Sequence, residues 1–476
     1  MSDRTSVGNG KVLRKAGLLE SYHIVRVGCD LDTGVLVSAR YTHPSGRLDK
    51  ETMYLALRVL VQNNRGLSVQ VRDGLSSKPL WIGLDSVDLS RIVHFHEETS
   101  EHLQTIHESY LAKPFQYGTQ DPLWRVAVLS DNNVLFMFHH AVGDGQSGLG
   151  FHVQLLFALN TLSQIQTKDT SPIVEIPPSL AFTLPVEKLM DLSVGFPVFW
   201  RVIRDTFVPV KFRKANRAWT GKKIPKLENK SFALHVRLFE LSSEEAEILL
   251  RICRQNKSTF TAFFHTLGIV VMGDLIRMFN LGYKFITTDF AISLRRFTGK
   301  PIEAICDEAS AWFMVQPIAK QPAKGSADDI QAVVDNFPWE DSASFASFMK
   351  NNLSKISQVT GCIKFLFRNF TGHYKGMLGK KRGTTFSLSN LGRFPDNNTN
   401  AAVTESGDSA WHMDSMFFSQ CDVVLGGAMT LGVSTAESGS VGLAFSWSTN
   451  HGLDDDFAEK FVERYCAVIK AMIAQK

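Results

Sequence analysis

The order of apolar and polar positions along the chain predicts a mixed α/β protein. Residues 34–43 (GVLVSARYTH) alternate in a way typical of a half-buried strand, and the apolar spacing over 48–63 predicts a helix. Two strands are predicted at 123–130 and 134–140, joined by an Asp-Asn-Asn turn. The second is almost entirely apolar, so we expect both of its faces to be buried. A helix is expected to follow, as far as about Asn160.

The pattern continues and then restarts after a proline-rich stretch. Strands are predicted at 67–71, 231–240, 284–294, 311–317, 384–389, 423–433 and 441–449, and helices at 98–112, from the Ser242/Glu245 capping pattern onward, at 258–273 and at 454–474. Residues 166–230 are rich in proline and become strongly basic between Lys211 and Lys230. We therefore predict an N-terminal subdomain over 1–165, a crossover linker over 166–230 and a C-terminal subdomain over 231–476.

Composition agrees with a globular protein and excludes several classes of protein. Hydrophobic residues make up 44% of the 476 residues and charged residues 21%, which excludes wholesale disorder. The formal net charge of +4 is too small to indicate a nucleic-acid binder. The six cysteines are scattered without a CxxC spacing, and we find neither a secretory signal nor an apolar stretch suited to a transmembrane helix. We expect a soluble cytoplasmic protein.

The sharpest chemical feature is the segment His139-His140-Ala141-Val142-Gly143-Asp144-Gly145 at the end of the buried strand. Successive strand side chains point to opposite faces, so only one of the two histidines can face a given cleft. The glycines allow a tight turn, and Asp144 can cap the next helix or pair with a cation. A neutral imidazole here is suited to take a proton from an alcohol that attacks an acyl carbonyl.

This segment resembles the HHxxxDG signature of the chloramphenicol-acetyltransferase-like superfamily, which includes plant BAHD acyltransferases, peptide-synthetase condensation domains and fungal alcohol O-acetyltransferases. The resemblance to the fungal group covers most of the chain. It includes Arg14–Tyr22 (RKAGLLESY), similar to an R-x-x-G-x-x-E segment, Asp121–Arg125 (DPLWR) and Ser389–Gly392 (SNLG). The DFGWG motif of BAHD enzymes does not occur, which argues against a plant-type enzyme.

The resemblance implies two pseudo-symmetric subdomains of mixed α/β sheets with an active-site tunnel at their interface. It implies that His140 is the general base and that the deprotonated hydroxyl attacks an acyl-CoA thioester directly. Asp144 would be structural and paired with Arg295, and Gly145 would keep the tunnel open. The negative charge on the thioester oxygen needs a donor. Our candidates are Ser389 and Asn390, because both side chains can donate a hydrogen bond.

The resemblance also implies the substrates: acetyl-CoA as co-substrate and a small or medium alcohol as acceptor, with a fungal secondary metabolite as one option. No permanently bound cofactor or metal is implied, and the usual form is a monomer. Two basic groups compete for the CoA phosphates. One is Lys380, Lys381 and Arg382 together with Lys375, and the other is the basic run over 211–230, which would otherwise be a solvated linker.

Two other classes of function stay open on the residues alone. A condensation-type enzyme would use the same histidine with a thioester donor on a carrier protein. A non-catalytic protein would use the tunnel or the basic run to hold a lipid or an anionic ligand. The stretch 191–210 is apolar enough to contact a membrane surface, although we favour a core or tunnel-lining role because Pro197 interrupts it.

Two further motifs in the sequence suggest sites that we do not favour. Residues 143–148 fit G-x-G-x-x-G, but Asp144 would place a negative charge where a pyrophosphate binds. A second set resembles metal ligands, although without a compact zinc motif we interpret it as a solvated polar face. This set comprises His94, His96, Glu97, Glu98, Glu101, His102 and His107.

Overall fold

The computed structural model describes residues 10–44, 46–162, 169–200, 217–226, 234–318, 329–395, 410–420, 424–449 and 451–475. The strands in this part of the chain are β1 (Val12–Lys15), β2 (Val35–Thr42), β3 (Val69–Arg72), β4 (Leu80–Gly83), β5 (Ser86–Asp88), β6 (Val93–Phe95), β7 (Trp124–Val128), β8 (Asn133–Phe138), β9 (Ile173–Glu175), β10 (Ala218–Trp219), β11 (Leu234–Leu241), β12 (Phe285–Ser293), β13 (Ala309–Pro317), β14 (Phe386–Asn390), β15 (His412–Gln420), β16 (Met429–Thr435) and β17 (Val441–Ser448).

The α-helices in the same residues are α1 (Leu18–Gly28), α2 (Lys50–Asn63), α3 (Leu89–Ile92), α4 (Leu103–Leu111), α5 (Gly145–Thr161), α6 (Val186–Leu189), α7 (Ser243–Gln255), α8 (Phe260–Met278), α9 (Arg295–Thr298), α10 (Ile330–Asp335), α11 (Trp339–Gly361), α12 (Phe370–Met377) and α13 (Asp455–Ala474). Short 3-10 turns cover Arg65–Ser68, Ser100–His102 and Cys362–Leu366. The prediction of a mixed α/β fold is confirmed.

The first large sheet has the strand order β15-β2-β8-β7-β6 and centres on β8. Every residue of β8 is buried, as the apolar run predicts. Phe136 stacks on Phe151 of α5 with 3.8 Å between ring centroids, so this helix is fixed against the sheet just beyond the strand. The strand ends at Phe138, and the two histidines lie in the turn that leads into α5.

The second large sheet has the order β10-β12-β14-β16-β17-β11, with β13 paired to β12. The strands β12, β14 and β16 run parallel, so equivalent ends of these strands lie at one edge of the sheet. Helices α8 and α13 cover this sheet, and the Tyr465 hydroxyl donates to the carbonyl of Phe264 at 2.8 Å. The predicted capping box at Ser242 and Glu245 opens α7.

The strand β15 joins the two halves in a way that the sequence pattern does not predict. It comes from the predicted C-terminal segment, yet it pairs antiparallel with β2 in the first sheet, where Phe417 is opposite Ser38. The predicted strand over 423–433 is wrong in its first half, because β16 begins at Met429. Residues of the predicted linker also join the fold, since β9 pairs with β5 and β10 with β12.

Two apolar segments have different surroundings. The helix α8 is long and apolar enough to cross a membrane by length and composition alone, but 72% of its most apolar stretch is buried inside the protein, as in an ordinary core helix. In the stretch 191–200, Phe196 is 73% exposed and Trp200 is 58% exposed, so the expected core role is wrong for these two rings. Residues 201–210 lie outside the described part.

Candidate active site

Two cavities meet at His140. The larger has a volume of about 390 Å³ and the smaller about 80 Å³. Both are lined by His140, Ala291, Ala309, Ser389 and Gln420. The His140 side chain is 18% exposed, so its imidazole is enclosed by protein but remains open to a substrate.

The two consecutive histidines face different surroundings. His139 is fully buried, its Nδ1 accepts from the N–H of Ala141 at 2.9 Å, and its Nε2 lies 2.7 Å from the Tyr117 hydroxyl. That hydroxyl donates to the carbonyl of Ile24, so Nε2 of His139 is the protonated nitrogen. Burial lowers the pKa of His139 to about 3. His139 is therefore a neutral packing residue, and His140 alone faces the cavities.

His23 and Asp307 lie against the buried side of the His140 imidazole, and the three residues form a cluster. The rings of His23 and His140 are stacked, with centroids 3.9 Å apart and 3° between their planes. Nδ1 of His140 lies 3.9 Å from Oδ1 of Asp307, and Nε2 of His23 lies 3.7 Å from Oδ2 of the same carboxyl. Neither oxygen of Asp307, nor Nδ1 of His140, has a hydrogen-bond partner among the described residues. The Nδ1 side thus faces Asp307, which leaves Nε2 of His140 to meet a substrate.

Burial controls the electrostatics of this cluster. It lowers the pKa of His140, an effect that the carboxylates of Asp32 and Asp144 partly offset. Burial raises the pKa of Asp307 well above its usual range, and the nearby carboxylates of Asp144 and Glu20 add to that effect. A lone anion at Asp307 is therefore costly, and a positive charge formed on a neighbouring imidazole would offset part of that cost.

The cluster contains three groups that could ligate a metal ion, with ligand atoms within 4.8 Å of one another. The stacking argues against a shared ion. A metal lies in the plane of each imidazole that binds it, at about 2.0–2.1 Å for zinc. Two parallel rings 3.9 Å apart cannot both direct an in-plane nitrogen at one such point.

The predicted pairing of Asp144 with Arg295 is present and buried. Oδ1 of Asp144 accepts from Nη2 of Arg295 at 2.8 Å and from the N–H of Ser147 at 2.9 Å, so the carboxylate also caps α5. Oδ2 accepts from the N–H of Glu308 at 3.2 Å, and Nη1 of Arg295 donates to the carbonyl of Ile302 at 2.9 Å. The ion pair therefore holds the loop that places Asp307 beside His140. The Asp144 carboxylate also occupies the N-terminus of α5, where the G-x-G-x-x-G pattern would have to bind a pyrophosphate.

The R-x-x-G-x-x-E segment anchors the helix that carries His23. Arg14 makes two hydrogen bonds of 2.7 Å to the Glu20 carboxylate, which also accepts from the Trp81 indole at 3.1 Å. Gly17 stands at the N-cap of α1, where an added Cβ would lie 2.4 Å from Cβ of Pro185. These contacts fix the start of α1 and hence the position of His23 one and a half turns later.

Gly145 stands at the edge of the smaller cavity, at the first residue of α5. A Cβ at this position would meet Cδ2 of Leu391 at 2.6 Å and the Phe418 ring at 3.2 Å. Both of those side chains also line the cavity. A side chain here would push into the cavity wall, which agrees with the expectation that glycine keeps the passage open.

The two oxyanion candidates are not equivalent. Ser389 lies at the junction of both cavities, and its hydroxyl has no hydrogen-bond partner among the described residues. Asn390 lines only the smaller cavity of the two, and its side chain already donates to Thr261 at 3.0 Å and accepts from the N–H of Gly392 at 2.8 Å. The geometry favours Ser389.

The prediction that Arg382 binds CoA phosphates is wrong. Its side chain is 2% exposed, and its guanidinium donates to the carbonyls of Gly426 and His451. Lys381 donates to the carbonyl of Ala218, while Lys380 is exposed. None of the three basic residues lines either cavity. The alternative basic run falls partly outside the described residues, which resume at Arg217 and stop again at Lys226.

The second set of potential ligands does not come together. His94 is exposed, and Nε2 of His96 lies 2.9 Å from the Tyr110 hydroxyl. For His107 the expectation of a solvated face is wrong, because it is fully buried between two serine hydroxyls. The residues sequence reasoning missed are His23 and Asp307. For His23 a signal was available, since it lies three residues after Glu20, the last residue of the R-x-x-G-x-x-E pattern.

Comparison with known sequences identifies relatives over most of the chain. A family model described as alcohol acetyltransferase matches residues 15–473. The probable alcohol acetyltransferase FCK4 of Fusarium pseudograminearum is 22% identical over 485 residues, covering 94% of this chain and 93% of its own. The probable alcohol acetyltransferase crmB of Aspergillus fumigatus is 24% identical over 418 residues, covering 83% of this chain and 85% of its own.

Solved structures share the fold. The TRI3 trichothecene 15-O-acetyltransferase from Fusarium sporotrichioides aligns with a TM-score of 0.69 at 12% identity, over 96% of this chain and 94% of that chain. The condensation domain of the Monacolin K polyketide synthase MokA aligns with a TM-score of 0.59 at 11% identity, over 98% of each chain.

The fold and the family match together define an acyltransferase enzyme built from two chloramphenicol-acetyltransferase-like subdomains. An enzyme of this class implies an acyl-CoA and an alcohol as substrates in general terms. The chain belongs to the alcohol acetyltransferase family.

Proposed function

We propose that this enzyme transfers an acetyl group from acetyl-CoA to the hydroxyl of a small alcohol, with His140 as the general base. The observation that carries the proposal is the position of His140, whose imidazole lines both cavities while Nδ1 is turned toward a buried carboxyl. A base must reach the hydroxyl and the thioester at one point. The junction of the two cavities is such a point.

In the proposed reaction, Nε2 of His140 takes the hydroxyl proton as the alcohol oxygen attacks the thioester carbonyl. The Ser389 hydroxyl donates to the oxygen on which negative charge develops. The carbon–sulfur bond then breaks, and the sulfur leaves with the proton that the imidazolium returns. The products are an ester and free CoA thiol, and no acyl-enzyme forms.

Asp307 acts as a positioning residue in this scheme. It faces Nδ1 of His140 at 3.9 Å, and such contacts tighten when a substrate closes the site. When this contact tightens, an ionised Asp307 would balance the imidazolium that forms at the transition state. The His23 ring, which stacks on the His140 ring, restricts the rotation of the His140 imidazole.

The acceptor is proposed to be a small metabolite alcohol. The larger cavity has room for one, and the similar TRI3 enzyme is a trichothecene 15-O-acetyltransferase. The slender pantetheine arm of CoA would then approach through the smaller cavity, past Gly145.

The proposal is tested by measuring thiol release from acetyl-CoA with a panel of alcohols. We expect release that depends on the alcohol and is lost in His140→Ala, whereas His94→Ala, at an exposed position, behaves as wild type. An acetyl group on a carrier protein, offered in parallel, should be the poorer donor. Thiol release that does not require an alcohol would contradict the proposal, and so would the absence of thiol release with every alcohol tested. A preference for the carrier-bound donor would favour the condensation-type alternative.

A further inference from the structure

A second polar spot lies in the wall of the larger cavity. Asp289 on β12 and Ser387 on β14 are register partners on adjacent parallel strands, and both line this cavity. Ser387 is 7% exposed. Among the described residues, neither its hydroxyl nor Oδ1 of Asp289 has a hydrogen-bond partner. Buried polar atoms are almost always paired in folded proteins, so this pair has unused hydrogen-bonding capacity at the cavity.

The other carboxylate in this wall is already occupied. Asp32 lies 3.4 Å from Nε of Arg26, and its second oxygen accepts from the N–H of Gly34 at 3.1 Å. Asp289 has no ion-pair partner within the described ranges. The two carboxylates therefore differ: Asp32 is part of the protein framework, and Asp289 is available to a ligand.

The protonation state of Asp289 defines what it can bind. Burial raises the pKa of this carboxyl to about 6, while the Ser387 hydroxyl, close by but short of hydrogen-bonding geometry, favours the carboxylate. The carboxylate is thus the main form at neutral pH. It accepts hydrogen bonds and donates none, so a matching ligand group must be a donor.

The distance of this pair from the reaction centre follows from strand geometry. Ser387 lies two residues from Ser389 on β14, and Asp289 lies two residues from Ala291 on β12. Side chains two apart share a face and stand about 7 Å apart at about 3.3 Å per residue. Ser389 and Ala291 line both cavities with His140. Asp289 and Ser387 therefore lie two residues along their strands from the point where the hydroxyl would react.

We propose that Asp289 and Ser387 form an acceptor subsite that recognises a second hydrogen-bond donor, a hydroxyl or an ammonium, about 7 Å from the hydroxyl that is acylated. This inference rests on the proposed acyl transfer at His140 and specifies its substrate class: alcohols with a second polar group rather than simple alkanols. A simple alkanol would bury the Asp289 carboxylate without a partner, which is how a polar pocket rejects an analogue that lacks the group.

The experiment compares kcat/KM for three matched acceptor series with acetyl-CoA: primary alkanols, α,ω-diols of the same chain length, and the corresponding amino alcohols. We expect wild-type enzyme to prefer one of the two bifunctional series over the alkanols by about tenfold to a hundredfold. A preference for diols identifies a hydroxyl as the donor, and a preference for amino alcohols an ammonium. Asp289→Ala should bring the ratio close to one, and Ser387→Ala should lower it less. Glu247→Ala, exposed on α7, is the matched control and should keep the wild-type ratio.

The outcomes separate this inference from the proposed function. Wild-type enzyme that acetylates alkanols and bifunctional alcohols equally well would overturn the subsite and leave acyl transfer intact, and this comparison needs no variant to fold. An unchanged ratio in folded Asp289→Ala would also overturn it. Enzyme that acetylates no alcohol in any series would instead overturn the proposed function.

Discussion

Two buried regions of the molecule hold a histidine beside polar side chains, and they treat that histidine in opposite ways. His107 on α4 is fully buried, with Ser419 at 2.8 Å from Nδ1 and Ser38 at 2.8 Å from Nε2. His140 lies beside two cavities, and its Nδ1 has no hydrogen-bond partner in the described structure. Full hydrogen bonding marks a histidine that holds the fold together, and incomplete bonding at a cavity marks one available for chemistry.

The clearest way to break this comparison is to remove each ring in turn. His140→Ala should lower acyl transfer by about 10²- to 10⁴-fold, because the proton of the hydroxyl then has no base to accept it. The protein should remain folded by circular dichroism, since the ring fills no closed packing site. Turnover near the wild-type rate in this variant would remove His140 from the mechanism.

The frame around His140 is tested by breaking the ion pair that holds it. Arg295→Ala should lower the free energy of unfolding by about 3–5 kcal/mol, because it leaves the Asp144 carboxylate buried without its cation. Lys460→Ala is the matched control, since the pair of Lys460 with Asp456 is 46% and 65% exposed. Exposed pairs contribute little to stability. Equal midpoints of denaturant unfolding for the two variants would show that the buried pair is not a structural clamp.

Removing the imidazole of His107 tests the role of the histidine that packs in the core. His107→Ala should lower the free energy of unfolding by about 2 kcal/mol, because Ser38 and Ser419 lose their partner in a buried site. The activity of each folded molecule should stay close to that of wild type. Denaturant unfolding and thiol release, measured on the same preparation, separate the two effects. A loss of turnover without a loss of stability would mean that burial and hydrogen bonding do not distinguish the two histidines.

Much of the fold was predictable because the apolar patterns are local. The run at 134–140, the capping box at Ser242 and the acidic start of the last helix each encode one element within a few residues. The strand β15 was not predictable in this way. Its partner β2 lies more than 370 residues earlier, as in the contact of Thr42 with Asp414, and pairing at that range leaves no local signal.

The candidate site also contains residues that local sequence patterns predict and residues that only long-range contacts bring in. His140, Asp144 and Arg295 could be named from short motifs, whereas His23 and Asp307 reach the site from two other segments that fold beside it. Arg382 shows the reverse failure. Its basic neighbours suggest a phosphate site, but sequence does not reveal that its guanidinium is turned inward toward two carbonyls.

The pH dependence of kcat/KM for acetyl transfer tests the central claim most directly. Burial lowers the pKa of His140, so the ring stays neutral and competent to lower pH than a free imidazole with a pKa of 6.5. We predict that activity falls as pH decreases, with an apparent pKa below 6.5. In Asp32→Asn this acid limb should shift to still lower pH, because the Asp32 carboxylate partly offsets the effect of burial on the pKa of His140. A profile that lacks an acid limb, or that keeps the same limb in His140→Ala, would contradict the account.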